Sequence, residues 1–309
     1  MRGSCCFGRA AVLAFVITLP ACLGFASSAS QHHRSRTDKD LSRIGHRQIA
    51  RGLNLFRQDE PELGKEYSVA YEQSTKVLHD PAVSDYLERL EQALVRNSDA
   101  DLPITLRVID SQQVTALTLL GGHQYVSLGL LLRMESGGEL AAMLARGIAH
   151  TALHSATREL TMEQLAEVAN IPVIFVGSSV PPSGTAVPTV PLTLASFMRE
   201  DERDADFFGV QYAYKAGYDP ACFVRALQSA WADEESSQVS TAKAFRPLPP
   251  LAERIDAVEK EIRELMPARA GSVVTTPEFE AFREHLRTLK PVIVPQSSGN
   301  EHGPELAGK

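Results

Sequence analysis

Residues 144–158 read Leu144-Ala-Arg-Gly-Ile-Ala-His-Thr-Ala-Leu-His-Ser-Ala-Thr-Arg158. Apolar residues recur here at the spacing of a helix face, and Gly137-Gly138 precede the run, so the sequence predicts a helix over 139–155. His150 and His154 stand four residues apart, the separation that puts two side chains on one face of a helix and lets them share a ligand. Neither is followed by a glutamate: Thr151 follows the first and Ser155 the second. On composition alone His150 reads as a core or surface histidine, and it is the neighbouring sequence that changes this reading.

Outward from that helix the period of the apolar residues marks the other elements. Helical spacing runs over 41–56 and 62–75, and Asp80 is a natural N-cap, with Pro81 at the first helical position, for a helix through Tyr86, Leu87, Leu90 and Leu94. Strand periodicity follows over 104–109, 114–119 and 123–127. Helices return over 128–134, from 161 to Pro172, over 194–216, after Asp219-Pro220, and over 250–265 and 277–289. Segment 171–192 is apolar but broken by five prolines and two glycines, which excludes a membrane helix and predicts a covering loop with exposed apolar surface. Many helices and one small three-stranded sheet define an α+β class, a mostly helical domain over 41–290. A flexible polar leader is expected over 30–40 and a disordered tail over 291–309.

The 309 residues are 44% hydrophobic and 22% charged, a balance that suits a globular protein with a sizeable core. The net charge of -7 and the lack of a Lys/Arg cluster argue against a nucleic-acid partner. Residues 1–29 read as a secretory signal: Arg2 and Arg9 flank the start of an apolar stretch over 10–19, and small residues follow at 21 and 26–29. About ten apolar residues are too few to span a bilayer. Cleavage near Ala29 gives a periplasmic or secreted protein. Leu19-Pro20-Ala21-Cys22 offers the alternative of a lipoprotein attached to the membrane through a lipid on Cys22. Only Cys222 lies in the body, so no internal disulfide remains after export.

The segments around the helix carry a resemblance. Gly121-Gly122-His123-Gln124-Tyr125-Val126-Ser127-Leu128-Gly129-Leu130-Leu131 comes before it, and Glu139-Leu140-Ala141 opens it. Arg199, Glu202, Ala205, Asp206 and Gly209 follow, then Ala216-Gly217-Tyr218-Asp219-Pro220. In this order they resemble the CAAX-prenyl-protease and HtpX-like zinc metallopeptidases (peptidase family M-forty-eight, gluzincins), from about Leu53 to Leu286. That family's pattern runs G-G-x-x-Y-V-x-x-G-L-L, E-L-A-x-x-L-A-H-E-I-A-H, R-x-x-E-x-x-A-D-x-x-G and A-G-Y-D-P.

The resemblance implies a zincin-like peptidase domain in which His150 and Glu202 stand at metal-ligand positions and Asp206, one turn after Glu202, at that of a carboxylate orienting a ligand. It also places Arg146 where the first histidine ligand belongs and Gly147 where the water-activating glutamate belongs. A later His-Pro of the family stands here as Arg246-Pro247, before Glu253-Arg254-Ile255. Zinc, the cofactor implied by the resemblance, is therefore expected to be lost or weakly bound, and hydrolysis weak or absent, since a general base is worth roughly 10²- to 10⁴-fold. Arg146 either replaces the metal through an ion pair with Glu202 or turns into solvent. A rearranged zinc site of His150, His154 and Glu202, one turn along the helix, is a further alternative; otherwise His154, near Arg158, neutralises the helix C-terminus.

The same frame implies that His123, Tyr125 and Ser127 belong to an edge strand that pairs with substrate backbone. Read plainly, Gly121-Gly122 is a tight turn, the acidic residues 201–204 are a solvated helix face, and Cys222 is structural. Three functions follow as expectations: an inactive polypeptide-binding pseudo-peptidase of envelope protein quality control, an active zinc metalloendopeptidase with a rearranged site, or a non-enzymatic assembly partner of envelope proteins that uses 171–192.

Overall fold

The computed structural model describes residues 34–168, 173–175, 189–231 and 248–289, so the signal, the tail and Arg246-Pro247 lie outside the described residues. The elements are α1 (Glu60–Ser74), α2 (Pro81–Val95), β1 (Thr105–Ile109), β2 (Ala116–Thr118), β3 (His123–Ser127), α3 (Leu128–Arg133), α4 (Gly137–Leu153), α5 (Ser155–Val168), β4 (Val173–Phe175), β5 (Thr189–Pro191), α6 (Leu192–Lys215), α7 (Ala221–Trp231), α8 (Leu251–Leu265) and α9 (Pro277–Thr288). This is a mostly helical α+β domain with one small three-stranded sheet. No helix of the described residues is long and apolar enough to cross a membrane.

Helix α4 forms the centre. Its alanines and leucines are buried around most of its circumference, from Leu140, Ala141 and Ala142 to Ala152 and Leu153, and an all-round apolar helix is stable only inside a core. Ser136 caps its start by accepting from Glu139 N at 3.2 Å, and the Glu139 carboxylate returns to Glu135 N at 2.9 Å, a near relative of the capping box. Helices α2, α6 and α7 pack around it. Where α6 crosses, a Cβ on Gly209 would come within 2.9 Å of Arg146 Cα, so only glycine lets the two backbones meet this closely.

The sheet has the order β1-β3-β2, with β3 parallel to β1 and antiparallel to β2. This corrects the edge-strand expectation for His123, Tyr125 and Ser127: their strand is central and paired on both sides, and the edge left unpaired among the described residues belongs to Ala116–Thr118.

Three other expectations change. The helix expected over 41–56 is a single tight turn at Leu41–Arg43 followed by bends. Gly45 and Gly52 adopt φ of 92° and 89°, and Arg47 leaves the local chain to bond Asp99 at 2.6 and 2.9 Å. Tertiary ion pairing here overrides a weak helical period. In the covering loop expected over 171–192, β4 and β5 pair antiparallel, and the rest lies outside the described residues. The leader is anchored from Arg34 onward. Arg34 bonds Asp204 and lies 4.0 Å over the Phe207 ring, and Asp38 is buried and held by Arg51 at 2.6 and 2.8 Å.

One core group stores a pH dependence. Glu91 of α2 is buried, its Oε1 has no hydrogen-bond partner among the described residues, and burial, helped by Glu88, pushes its carboxyl up to about 7. A raised carboxyl favours the folded state fully below its unfolded value, near pH 4.5, and that contribution is lost as pH rises through 7. Glu91→Gln, which keeps the shape of the protonated acid, is therefore expected to match wild type in urea unfolding at pH 4.5 and to exceed it by about 3 kcal/mol at pH 8.

Candidate functional site

Helices α4 and α6 lie side by side, and each contributes residues one turn apart to the space between them. Arg146 and His150 come from α4, and Glu202 and Asp206 from α6. Of the two positions left open for Arg146, the side chain takes the inward one. Its Nη2 bonds Glu202 Oε2 in a short ion pair, and its Nε bonds Asp206 Oδ1 at 3.1 Å.

A second arginine completes the arrangement. Arg254 of α8, 2% exposed, bonds Asp206 through Nε at 2.7 Å and Nη2 at 2.8 Å, and that Nη2 stands 3.8 Å from Glu202. Asp206 thus holds two guanidiniums instead of orienting a metal ligand. Both guanidiniums also lie over the Trp231 ring, at 5.1 Å for Arg146 and 4.4 Å for Arg254. Burial pushes the Glu202 carboxyl up, but Arg146, His150 and Arg254 outweigh burial and hold it below the ordinary carboxylate range. Two cations face two anions, so the buried cluster is close to neutral without a metal.

His150 faces the same space. Its Nε2 is 3.6 Å from Glu202 Oε1, and its Nδ1 lies 3.1 Å from Ser155 Oγ and 3.2 Å from Asp201 Oδ2. Asp201, read from sequence as part of a solvated face, is buried and also bonded by Arg158 at 3.2 Å. Burial raises its carboxyl, and His150 and Arg158 bring it below its usual range.

The rearranged His150–His154 site is not formed. The helix ends at Leu153, and His154 takes the left-handed conformation (φ 52°, ψ 41°), so the four-residue face rule no longer applies to it. Its ring is buried and turned elsewhere, with Nδ1 2.6 Å from Glu60 Oε2 and Nε2 3.2 Å from Asp101 Oδ1.

Above Gly147 the sheet closes in. A Cβ there would lie 2.6 Å from Gln124 Oε1 and 3.1 Å from Thr118 Oγ1, so the carboxamide of Gln124 fills space at the base position. The cleft between β2 and the two helices has a volume of about 190 Å³ and is bordered by Thr118, Gln124, Arg146, Gly147, His150 and Glu202, among others. Glu159 of α5 also borders it; burial, then Glu163, Asp201 and Glu202, push its carboxyl up to about 7.

The expected strand residues have other work. Tyr125 borders the cleft, but its hydroxyl donates to Glu72 at 2.7 Å and its ring packs edge-on against Tyr71. Ser127 is fully buried and caps α3 by accepting from Leu130 N at 3.0 Å. His123 sits at the strand start, 2.9 Å from Thr105 Oγ1.

The residues do not fit zinc. Of the metal-ligand positions implied by resemblance, only His150 and Glu202 keep a donor, and Glu202 is already bonded to Arg146. A dication between them would stand beside a fixed guanidinium, with no third protein donor supplied at the position Arg146 occupies.

Peptidase family M48 matches residues 81–262, which is more than half of the chain and spans α2 to α8. The chain is 27% identical over 180 residues to a putative β-barrel assembly-enhancing protease of Vibrio cholerae, covering 54% of this chain and 37% of that protein. It is 25% identical over 187 residues to the β-barrel assembly-enhancing protease of Yersinia pestis, covering 57% and 38%. The Escherichia coli K12 protein of that name gives 24% over 187 residues, with the same coverage. The matched segment spans less than two fifths of the length of these curated relatives. With a family match that carries the α4–α6 pair and the sheet beside it, the chain belongs to peptidase family M48.

Proposed function

We propose that this protein is an exported, catalytically inactive member of its family that binds extended polypeptide in the cleft and serves envelope protein quality control. One observation carries the reading: Arg146 and Arg254 neutralise Glu202 and Asp206 where catalysis would need a metal, and Gly147 provides no base. The free edge of β2 supports the choice of ligand. In its antiparallel register Leu117 pairs with Tyr125, so the main-chain groups of Ala116 and Thr118 point away from β3 and can receive an added strand.

The curated relatives' name supports a partner class. Chains on their way to becoming β-barrels expose unpaired strand edges, which this edge matches. The basic and apolar character of residues 1–29 supports export to the periplasm or cell envelope, with a lipid on Cys22 as one form of membrane attachment.

The test uses the protein expressed without a histidine tag. Elemental mass spectrometry is expected to find less than about 0.1 equivalent of zinc, since a tight structural site would fill stoichiometrically. Fluorescein-labelled β-casein, an unfolded polypeptide, is expected to bind by fluorescence anisotropy without being cleaved, and Ala116→Pro, which removes an outward N–H, is expected to lose that binding. Stoichiometric zinc together with casein cleavage would overturn the reading.

A further inference from the structure

The cleft holds one carboxyl with no cationic partner among the described residues. Ser155 and Glu159 stand one turn apart on α5, and both border the cleft. Asp201 is paired with His150 and Arg158, and Glu202 with Arg146. Glu159 makes no hydrogen bond or ion pair among the described residues, and Arg158, its neighbour in sequence, is turned to Asp201 and lies 4.9 Å over the Phe197 ring. Two carboxyls of one cleft therefore differ in a single respect. Burial pushes both up, but Arg146, His150 and Arg254 bring Glu202 back below the ordinary range, whereas Glu159 has only the carboxylates of Glu163, Asp201 and Glu202 acting on it. Such a group is costly to ionise, and the cost falls when a ligand brings the cation.

We infer that Glu159 receives the ammonium or guanidinium group of a lysine or arginine side chain carried by the polypeptide bound along β2, which makes Glu159 a specificity-determining residue of this cleft. The inference rests on the peptide-binding reading above. Thr118 turns its side chain toward Gly147 of α4, and the residue of an added strand that lies opposite Thr118 carries its side chain on the same face. That end of β2 lies beside α5, since the turn Leu120–Gly122 that follows β2 packs against this helix. A side chain entering there meets the part of the cleft bordered by His150, Ser155 and Glu159. Phe197 and Met198 give this part an apolar border, which suits the long stem of a basic side chain and leaves its charged end for Glu159. A single unpaired carboxyl matches one such group, whereas a divalent metal ion needs three or more donors. An acidic side chain at the same position would face Glu159 together with Glu163, Asp201 and Glu202, and is disfavoured by their like charge.

The experiment uses two fluorescein-labelled peptides of alternating threonine and valine that differ only in the central residue, lysine in one and norleucine in the other. Norleucine keeps the stem and lacks the charge. By fluorescence anisotropy on the full chain, wild type is expected to bind the lysine peptide about tenfold more tightly, the effect of one charge-assisted hydrogen bond. This comparison does not depend on any variant folding. Glu159→Gln, of the same shape, is expected to weaken the lysine peptide alone and bring the two affinities within about twofold of each other. Equal affinity of wild type for both peptides, with Ala116→Pro still abolishing the binding of each, would overturn the role of Glu159 and leave the strand-edge reading standing. A lysine preference that survives undiminished in Glu159→Gln would assign the cation to another group and overturn it as well. No binding of either peptide to wild type would overturn the peptide-binding reading and this inference with it.

Discussion

Arg254→Met is expected to lower the free energy of unfolding by about 3–5 kcal/mol, the usual cost of removing one partner from a buried ion pair. Arg254 is almost wholly buried and gives two hydrogen bonds to Asp206. Methionine preserves much of the volume, so the loss comes from leaving Asp206, in a dry site, with Arg146 Nε as the remaining one of its two guanidinium partners. The diagnostic variant is the double replacement Arg254→Met with Asp206→Leu. Removing both partners leaves Arg146 still paired with Glu202 and is expected to restore stability to within about 1–2 kcal/mol of wild type. Urea unfolding of the two singles and the double gives the coupling directly. If the single loses under about 1 kcal/mol, the cluster is not the electrostatic replacement for a metal argued above.

The second large effect is a gain. Arg146→His is expected to release Glu202 and supply a third donor beside His150, so that the variant takes up close to one equivalent of zinc while remaining inactive, because Gly147 still lacks a side chain. Gly147→Glu alone meets the Gln124 carboxamide 2.6 Å from its Cβ. The triple variant Arg146→His, Gly147→Glu, Gln124→Ala makes room for the glutamate and is expected to cleave labelled casein about 10²- to 10⁴-fold faster than Arg146→His. Zinc content by elemental mass spectrometry and casein turnover separate the metal from the base. Casein cleavage by Arg146→His at the rate of the triple variant would show that the chain holds a base elsewhere.

The elements that sequence located well are those with strong local signals. Asp80 caps α2, accepting from Val83 N at 3.0 Å, and Pro81 stands at its first position; α4 has both a cap and continuous apolar character. Segment 41–56 misled because its apolar period is real, but Arg47 and Gly45 are fixed by partners distant in sequence, Asp99 and Gln211, and Gly45 and Gly52 take positive φ. The site divides in the same way. Glu202 and Asp206 were legible because they sit one turn apart in a motif, whereas Trp231 approaches from α7 with no local signal at all. Arg254 stood in the Glu253-Arg254-Ile255 pattern and had a signal, without anything to say that it would reach Asp206. Asp201 was hidden by its charged neighbours, since a run of acids carries no mark of which one turns inward. Strand order, which moved the free edge from 123–127 to Ala116–Thr118, is a property of pairing across sequence and not of any single strand's period.

Trp231 is the chain's sole tryptophan, and it lies under the two guanidiniums that hold Glu202 and Asp206. Indole emission excited at wavelengths that spare tyrosine therefore originates at a single point of the molecule, one side-chain layer behind the cleft. Its intensity and colour respond to the charge and water around that ring, so the protein carries an internal optical gauge of its own arginine pair. Occupancy of the cleft can be followed with no dye attached, in the untouched chain and at concentrations where unfolded clients stay soluble.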